Sequence, residues 1–370
     1  MNILSIVILV LFAGYFLYVI IESLMIKKYR KSFKYVIHVN GIRGKSTTTR
    51  LIDSGFRSLG YKTFSKTTGT IATIINTDNK DVPIKRLGNA NIREQIKMMK
   101  EAYKEKAEVI ILECMAVNPE LQKISEERIL KADATLITNV REDHIMDMGE
   151  NLDGIADALS NTIPTDGYLI VNPSKYTDFF KEKAQKKNTK VVISDEYKGE
   201  DHLDTFDENI ALALALSKAL SLDTSIFFEG MKKYHHDIGA FETIKLGDTI
   251  FLNGLSINDP ESIKEMYTDL SKKYNQDDIT IFLNNRNDRP TRVLQHIEMM
   301  KEMKCKKLII FGSNPNYVKR KIEKERKDLP IEILKNIEDL KKEKIIYAIG
   351  NIGGKGMKVL EYFRKFGERI

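Results

Sequence analysis

The chain is poor in cysteine and histidine, and it has no repeats or low-complexity tracts. Two cysteines, Cys114 and Cys305, occur in 370 residues, which excludes a disulfide scaffold and fits a reducing compartment. Only six histidines are present, so a histidine among acidic residues is a notable candidate ligand. Without a long disordered linker, 370 residues are enough for two domains with cores of their own.

The formal net charge of +7 is not spread over the chain. Positive residues concentrate in one short segment, at Lys27, Lys28, Arg30, Lys31 and Lys34. The rest of the chain is only mildly basic and its charges are evenly distributed. No basic surface for nucleic acid is therefore predicted.

Residues 3–21 carry no charge and are almost entirely aliphatic or aromatic, which is about the length that crosses a bilayer. A signal peptide is the alternative, but no basic segment precedes the run and no small-residue cleavage pattern follows it. A buried core helix is the other alternative. We predict a transmembrane anchor over 1–26 and a basic juxtamembrane segment over 27–34. The positive-inside rule then gives a single-pass protein of the cell membrane with cytoplasmic catalytic domains.

Beyond residue 35, apolar strand-like runs alternate with helical patterns. Runs such as 107–113, 134–139 and 168–172 predict buried strands, and the pattern restarts after a break near residue 238. This alternation is typical of an α/β fold with mostly parallel sheets. We predict a central ATP-binding domain of P-loop type over 35–238 and a smaller Rossmann-like α/β domain over 239–370.

A glycine turn follows the first predicted strand and precedes a predicted helix. Its residues are Asn40, Gly41, Ile42, Arg43, Gly44, Lys45, Ser46 and Thr47. Backbone N–H groups at such a turn bind phosphate oxygens, the lysine neutralises charge and the serine hydroxyl faces Mg²⁺. The glycine that a full Walker A motif has five positions before Gly44 is replaced by Val39. The pattern therefore predicts a compact Gly-x-x-Gly-Lys-Ser site for ATP.

Two further strands end in polar residues. Glu113 closes an apolar run, where a carboxylate is costly unless it is paired, binds a metal or lies at the surface. Residues 139–147 (NVREDHIMD) place His144 among acids after another strand. Because parallel strands bring their ligands to one edge, both segments are candidates for the same site.

Together these motifs resemble the Mur ligase and folylpolyglutamate synthetase superfamily of ATP-dependent amide ligases. The turn is similar to that family's GTxGK[ST] loop, Glu113 to its magnesium glutamate, and 139–147 to its N-x-x-x-DH-x-D box. Asn209 is similar to the asparagine that reads adenine. Residues 288–292 (DRPTR) resemble the D-R-x-x-[KR] segment, in which Arg289 and Arg292 would reach the phosphates; a solvated basic turn is the alternative.

The match is closer to the CapB/PgsB family, the ligase subunits of poly-γ-glutamate synthase. The anchor, residues 66–70 (KTTGT), 113–119 (ECMAVNP) and 350–352 (GNI) carry this resemblance. It implies ATP and Mg²⁺ as cofactors and glutamate and the poly-γ-glutamate chain as substrates. It further implies other membrane subunits as partners, and it leaves open whether the chain forms a homo-oligomer.

The resemblance also implies roles for individual residues. Lys45, Glu113 and His144 would be catalytic, with Lys45 on the β- and γ-phosphates. Ser46, Thr68, Glu113 and His144 would hold metal ions, although residues 66–70 are equally an ordinary threonine-rich loop. The sequence does not define the amino-acid pocket; independently of the resemblance, the polar loop at residues 89–93 is a candidate part of it.

Some positions depart from the superfamily pattern. Leu159 occupies the place where Mur ligases often carry a carbamylated lysine, and the Gly-Arg of the domain junction is Gly239-Ala240 here. No UDP-binding region precedes the ATP domain, so we expect a substrate other than a nucleotide-linked peptidoglycan precursor. Three alternatives stay open: a folylpolyglutamate synthetase-like ligase, a membrane-tethered P-loop ATPase, and a subunit that has lost its chemistry.

Overall fold

The computed structural model covers the whole chain. The residues it describes are 3–69, 72–84, 86, 91–142, 145–149, 151–199, 203, 205–236, 241–257, 260–286 and 290–370. They form two compact units, Met1–Asp237 and Ile238–Ile370.

The first helix, α1 (Ile3–Ser32), is continuous through the predicted anchor and the basic segment. It is the one helix, among the described residues, whose length and composition would allow it to cross a membrane. Its apolar first part is exposed, whereas Tyr29 and Phe33 are buried in a core with Met98 and Ile110. The basic segment is therefore mostly helix, and it is anchored in the first unit by these two aromatic side chains.

The first unit is built on a sheet that has, in the described part of the chain, eight strands. Their order is β4-β3-β2-β5-β1-β6-β7-β8. The strands from β2 to β8 in this order are parallel to one another, and β3 and β4 are antiparallel additions. The bounds are β1 (Tyr35–Asn40), β2 (Thr63–Thr67), β3 (Thr73–Ile75), β4 (Asp81–Pro83), β5 (Val109–Glu113), β6 (Ala134–Ile137), β7 (Tyr168–Val171) and β8 (Lys190–Ile193).

Helices cover both faces of this sheet, as expected for a sheet whose central strands β1, β5 and β6 are almost entirely buried. They are α2 (Lys45–Ser58), α3 (Arg93–Lys104), α4 (Pro119–Ile124), α5 (Ile145–Met148), α6 (Leu152–Ser160), α7 (Thr177–Gln185), α8 (Asp207–Ala219) and α9 (Thr224–Met231). Helix α4 starts after Asn118, whose side chain accepts a hydrogen bond from Leu121 N, and it has Pro119 in its first turn. It continues as a π-helix over Ser125–Leu130.

The second unit has its own sheet, with the order β13-β12-β11-β14-β10-β9-β15 among the residues described. The strands are β9 (Thr243–Leu246), β10 (Thr249–Asn253), β11 (Ile279–Asn285), β12 (Lys307–Gly312), β13 (Ile331–Ile333), β14 (Ile345–Gly350) and β15 (Glu368–Arg369). The helices are α10 (Pro260–Lys273), α11 (Pro290–Met300), α12 (Pro315–Glu325) and α13 (Lys355–Phe366), with 3₁₀ turns at Gln276–Asp278 and Ile337–Lys342. The strand order reverses between β11 and β14, the position where open α/β sheets bind ligands.

Candidate active site

The turn between β1 and α2 depends on two glycines with positive φ. Gly41 has φ 122° and Gly44 has φ 81°, and residues that carry a side chain rarely adopt φ values in this region. There is also no room for a side chain, because a Cβ at Gly41 would collide with Thr138 and one at Gly44 with the amide of Asn209. Glycine is therefore needed at both positions for conformation and for space.

Residues that directly follow β6 hydrogen-bond to the turn and fix its position. Asn139 Oδ1 accepts a hydrogen bond of 3.0 Å from Arg43 N, and Thr138 Oγ1 donates one of 2.5 Å to Arg43 O. Asn40 is buried, and its Oδ1 accepts from Gly41 N at 2.8 Å while its Nδ2 donates to Gln122 Oε1. The Asn40 side chain thus fixes the shape of the turn from inside the protein.

Lys45 begins α2 and folds back over the turn. Its Nζ donates to the carbonyl oxygens of Gly41, at 2.8 Å, and Ile42, at 3.2 Å. No side chain caps α2 at its N-terminus. The first N–H groups of the helix, at the positive end of the helix dipole, are therefore not bonded to a capping side chain. A lysine and a helix start on one glycine turn form an arrangement suited to an anion such as phosphate.

Glu113, at the end of β5, contacts two other residues that the sequence predicts as metal ligands, Ser46 and Thr68. Its carboxylate is buried, and its Oε2 accepts hydrogen bonds from Ser46 Oγ at 2.8 Å and from Thr68 N at 2.7 Å. Its Oε1 accepts a hydrogen bond from Thr68 Oγ1. These residues come from three neighbouring strand ends, because the sheet order places β2, β5 and β1 side by side.

The chemistry of this cluster fits a hard divalent cation. One carboxylate and two hydroxyls are oxygen ligands, and Mg²⁺ prefers few carboxylates completed by water and phosphate oxygens. No group of three or more His, Cys, Asp or Glu side chains that could hold a metal occurs within the described ranges. The cluster is therefore suited to a cation that is shared with a phosphate ligand.

Lys66 is the first residue of the KTTGT segment, and the sequence did not predict that its side chain is buried. It is fully buried, and its Nζ lies 2.8 Å from Glu94 Oε1 and 3.3 Å from Met115 Sδ. Burial lowers the pKa of Lys66, against the attraction of Glu94. Arg86 and Lys66 outweigh the burial of Glu94 and lower the pKa of that carboxyl to about 2. A charged network thus lies immediately behind the Glu113 cluster.

Asn209, on α8, lies against the same turn. Its Oδ1 accepts a hydrogen bond of 3.2 Å from Thr48 Oγ1, and its Nδ2 donates to Thr205 Oγ1 at 3.2 Å. The side chain is buried and packs on Gly44. Its predicted contact with adenine stays a prediction, and the observed contact is with the turn itself.

The structure describes some of the remaining predicted site residues and not others. Thr47 is half-buried on the first turn of α2. His144 and Arg289 lie outside the described residues, as do residues 89 and 90 of the predicted amino-acid loop. Arg292 belongs to α11 in the second unit and donates to Asn351 Oδ1 at 3.0 Å. Leu159 is fully buried in an apolar core.

The second unit contains a polar cluster that the sequence did not predict. Asn284, Asn285 and Asn351 are buried at the ends of β11 and β14. Asn284 Oδ1, Asn351 Nδ2 and both amide atoms of Asn285 have no hydrogen-bond partner in the part of the chain described. Gly350 and Gly354, with φ 101° and 67°, form the turn before α13. Buried amide atoms without partners, at the reversal point of the sheet, make this cluster a candidate polar binding site.

Comparisons with known proteins agree with this architecture. The family model of the Mur ligase middle domain matches residues 39–230, and that of the poly-gamma-glutamate synthase CapB C-terminal domain matches residues 240–366. E. coli FolC in complex with ADP has a TM-score of 0.73 with 93% of each chain covered, at 12% identity. At that identity the likeness shows the fold, which is the Mur ligase and FolC-like α/β fold.

Two curated proteins are similar over almost the whole chain. PGA synthase CapB of Bacillus subtilis (strain 168) is 37% identical over 354 residues, which is 89% of this chain and 90% of that protein. Capsule biosynthesis protein CapB of Bacillus anthracis is 35% identical over 364 residues, which is 91% of this chain and 78% of that protein. The resemblance found in the motifs is thereby confirmed: the chain belongs to the CapB family and carries a Mur ligase middle domain.

Proposed function

We propose that this chain is an ATP-dependent amide ligase that joins glutamate through γ-amide bonds and makes poly-γ-glutamate at the membrane. The observation that carries the proposal is the contact of Ser46 and Thr68 with the Glu113 carboxylate, next to a lysine-bearing glycine turn. The 37% identity to a protein named PGA synthase supports the choice of glutamate polymer as product.

The first half-reaction is the activation of a carboxylate. A carboxylate oxygen at the end of the glutamyl chain attacks the γ-phosphorus of ATP, and the bond to the β,γ-bridging oxygen breaks. The products are an acylphosphate and ADP. Lys45 would exchange its two carbonyl partners for β- and γ-phosphate oxygens, and the N–H groups of residues 44–47 would bind the phosphates.

Ser46, Thr68 and Glu113 would hold Mg²⁺, with His144 as a fourth candidate, and the ion would neutralise charge on the transferring phosphoryl group. The Glu113 carboxylate accepts hydrogen bonds from the hydroxyls of Ser46 and Thr68 and so holds both side chains beside it. Lys66, buried behind the cluster and paired with Glu94, adds positive potential near Glu113. Such preorganised charge is the main contribution that a protein makes to phosphoryl transfer.

The second half-reaction forms the amide. The neutral amine of an incoming glutamate attacks the acyl carbon, inorganic phosphate leaves, and the excess proton of the amine is released. Within the second unit, the unpaired amide atoms of Asn284, Asn285 and Asn351 are candidate contacts for a polar ligand of that unit. Arg292, held by Asn351, and Arg289 would contribute positive charge for the phosphates or for a substrate carboxylate.

We assign the membrane location to α1, with the ATP domain on the cytoplasmic side. An anchored ligase keeps its polyanionic product close to the membrane that the product must cross. Other membrane subunits of a synthase complex are the proposed partners, since a single span forms no conduit.

One experiment separates the proposal from its alternatives. The purified full-length chain is incubated with ATP, Mg²⁺ and glutamate, and both ADP and γ-linked product are measured. The ligase requires that ADP release depends on glutamate. Hydrolysis that ignores glutamate would favour a transport or signalling ATPase, and glutamylation of a folate instead would favour the folylpolyglutamate synthetase alternative.

A further inference from the structure

A basic cavity lies where α1 meets the end of the π-helix. Its volume is about 450 Å³. From α1 it is lined by residues at positions 23, 26, 27, 30 and 31, which share one face of the helix because they are three or four residues apart. Residues 127–129 and 131 form the opposite wall. The cavity is therefore bounded by the basic end of α1 on one side and the body of the first unit on the other.

Five basic side chains line this cavity. Arg30 is fixed in place, because its Nε donates to Lys131 O at 2.8 Å and its Nη2 lies 2.6 Å from Asp133 Oδ1. The other four form no ion pair within the residues that the structure describes; they are Lys27, Lys31, Arg128 and Lys131.

The single acidic residue of the lining does not neutralise them. Glu127 Oε1 lies 3.3 Å from Lys187 Nζ, which is directed at it from α7's end. Four cations without partners around a cavity repel one another, so an anion between them would be stabilised. Two isoleucines, Ile26 and Ile129, give the same cavity an apolar part.

The cavity lies just beyond the uncharged run of α1, and its distance from the end of that run can be compared with the thickness of a bilayer. The uncharged run ends at Ile21, and about 19 residues at about 1.5 Å each span roughly 28 Å, close to the hydrocarbon thickness of a bilayer. Lys27 follows six residues later, about 9 Å beyond the end of the run. Lipid headgroups occupy a layer of roughly 5–8 Å outside the hydrocarbon core. If α1 crosses the membrane as proposed, Ser23 and Ile26 lie at the depth of the headgroups, and Lys27 lies at the outer edge of that layer, within reach of a phosphate.

We propose that this cavity binds the phosphate of an anionic phospholipid headgroup from the leaflet facing the first unit. Lys27, Lys31 and Lys131 supply the charge for the phosphate, and the isoleucines contact the glycerol and the start of the acyl chains. The inference rests on the membrane location in the proposed function. Because Arg30 joins the cavity to Asp133 and Asp133 accepts from Val36 N, a bound lipid would stiffen the junction between α1 and β1.

The test uses the full-length chain in neutral detergent micelles, titrated with dioctanoyl phosphatidylglycerol. At ten times the dissociation constant, we expect the melting temperature to rise by about 3 °C. Dioctanoyl phosphatidylcholine, inorganic phosphate and a glutamate oligomer are the comparison ligands, and none of them should reproduce this shift. An equal shift with phosphate or with the oligomer would assign the cavity to a free anion or to the polyanionic product, and would overturn the proposal.

Three variants make the test specific. The triple variant Lys27→Gln/Lys31→Gln/Lys131→Gln should lose the shift, whereas a control with three exposed lysines of the second unit changed, Lys324→Gln/Lys327→Gln/Lys335→Gln, should keep it. Ser23→Phe fills the cavity without a change of charge, and it should also lose the shift. A shift that survives in Ser23→Phe would mean diffuse attraction to a basic surface and would refute a cavity site. Glutamate-dependent ADP release is measured in parallel, so loss of lipid binding with intact turnover leaves the ligase assignment standing.

Discussion

Ser46 Oγ lies 2.8 Å from Glu113 Oε2, although 67 residues separate the two in the chain. The contact joins the start of α2 to the end of β5, because β1 and β5 are parallel neighbours with Val39 opposite Glu113. It places a hydroxyl and a carboxylate where a cation would meet a phosphate bound at the turn. The predictions on chemistry start from this pair.

Replacing the Glu113 carboxylate by an amide should remove most of the activity. Glu113→Gln keeps the shape but lowers the charge at the proposed cation site, so we expect glutamate-dependent ADP release to fall at least about 100-fold. The Mg²⁺ concentration for half-maximal rate should also rise. The control is Glu120→Gln, an exposed glutamate on α4. A Glu113→Gln enzyme with normal rate and normal Mg²⁺ dependence would contradict the assigned role.

Lys45→Ala should weaken ATP binding and abolish polymer formation without unfolding the protein. Among the described residues, the Lys45 Nζ donates to two backbone carbonyl oxygens of its own turn and to no carboxylate, so its loss leaves no buried charge without a partner. Binding of ATP can be measured by calorimetry and the fold by the melting temperature. Lys62→Ala, at an exposed lysine, is the control. If Lys45→Ala made polymer at the normal rate, the turn would not be the phosphate site.

Two glycines with similar backbone angles separate strain from function. Gly44→Ala introduces a Cβ at φ 81° that collides with Asn209, so we expect ATP affinity to fall more than about tenfold. Gly60→Ala introduces a Cβ at φ 85° in open space. Both should lower stability by roughly 1 kcal/mol from the backbone alone. Equal ATP affinity in the two variants would show that the collision at the turn is unimportant.

The second unit should lose stability in mild acid because of His296. Burial, with a contribution from the charge of Arg292, lowers the pKa of this fully buried imidazole to about 4. Since the unfolded chain, with an ordinary pKa of 6.5, binds the proton more readily, the free energy of unfolding falls as pH decreases from about 6.5 to 4. The loss from this residue is about 2 kcal/mol at pH 5.

His296→Leu removes the titrating group and should flatten this pH dependence. Urea unfolding at pH 7 and pH 5 gives the comparison, with the exposed His235→Gln as the control that keeps the wild-type profile. An unchanged loss of stability between the two pH values in His296→Leu would rule out this residue as the cause.

Truncation of α1 should depend sharply on where the cut is made. Removal of residues 1–26 should release the protein into the soluble fraction in a folded state, because the exposed part of α1 contributes little to the core. Removal of residues 1–33 also deletes Tyr29 and Phe33, which are 5% exposed, and should destabilise the first unit. Phe33→Ala alone should lower the free energy of unfolding by roughly 3 kcal/mol. The fractionation is done at high salt, which screens attraction of the remaining basic residues to anionic lipid. Membrane retention of the chain lacking 1–26 under these conditions would contradict the anchor assignment.

Much of the fold could be predicted from the chain. The strands at residues 109–113, 134–137 and 345–350 follow from continuous apolar runs, which the structure places inside parallel sheets. The short strands β3, β4 and β15 were not predicted, since they are two or three residues long and depend on their neighbours for pairing. Helices α9 and α13 were also missed. Their apolar stripes are short and become clear only against the core they cover.

The candidate site was predicted in part. Ser46, Thr68 and Glu113 do meet, as strand-end residues of a parallel sheet should. Lys66 was overlooked because a lysine in a threonine-rich segment is usually exposed, whereas this one is buried against Glu94. The orphan amides at Asn284, Asn285 and Asn351 were overlooked because asparagine after a strand is also common in ordinary turns.

The sequence by itself determined the local elements, namely the apolar strands, the glycine turn with its helix start, and the uncharged run at the beginning. These are properties of neighbouring residues, set by steric limits on the backbone and by the spacing of apolar side chains. Only the tertiary structure decided which strands lie side by side. That order makes Ser46 and Thr68 donate to the same Glu113 carboxylate, and it pairs Lys66 with Glu94. Such contacts depend on the order of strands in the sheet, which no local pattern encodes.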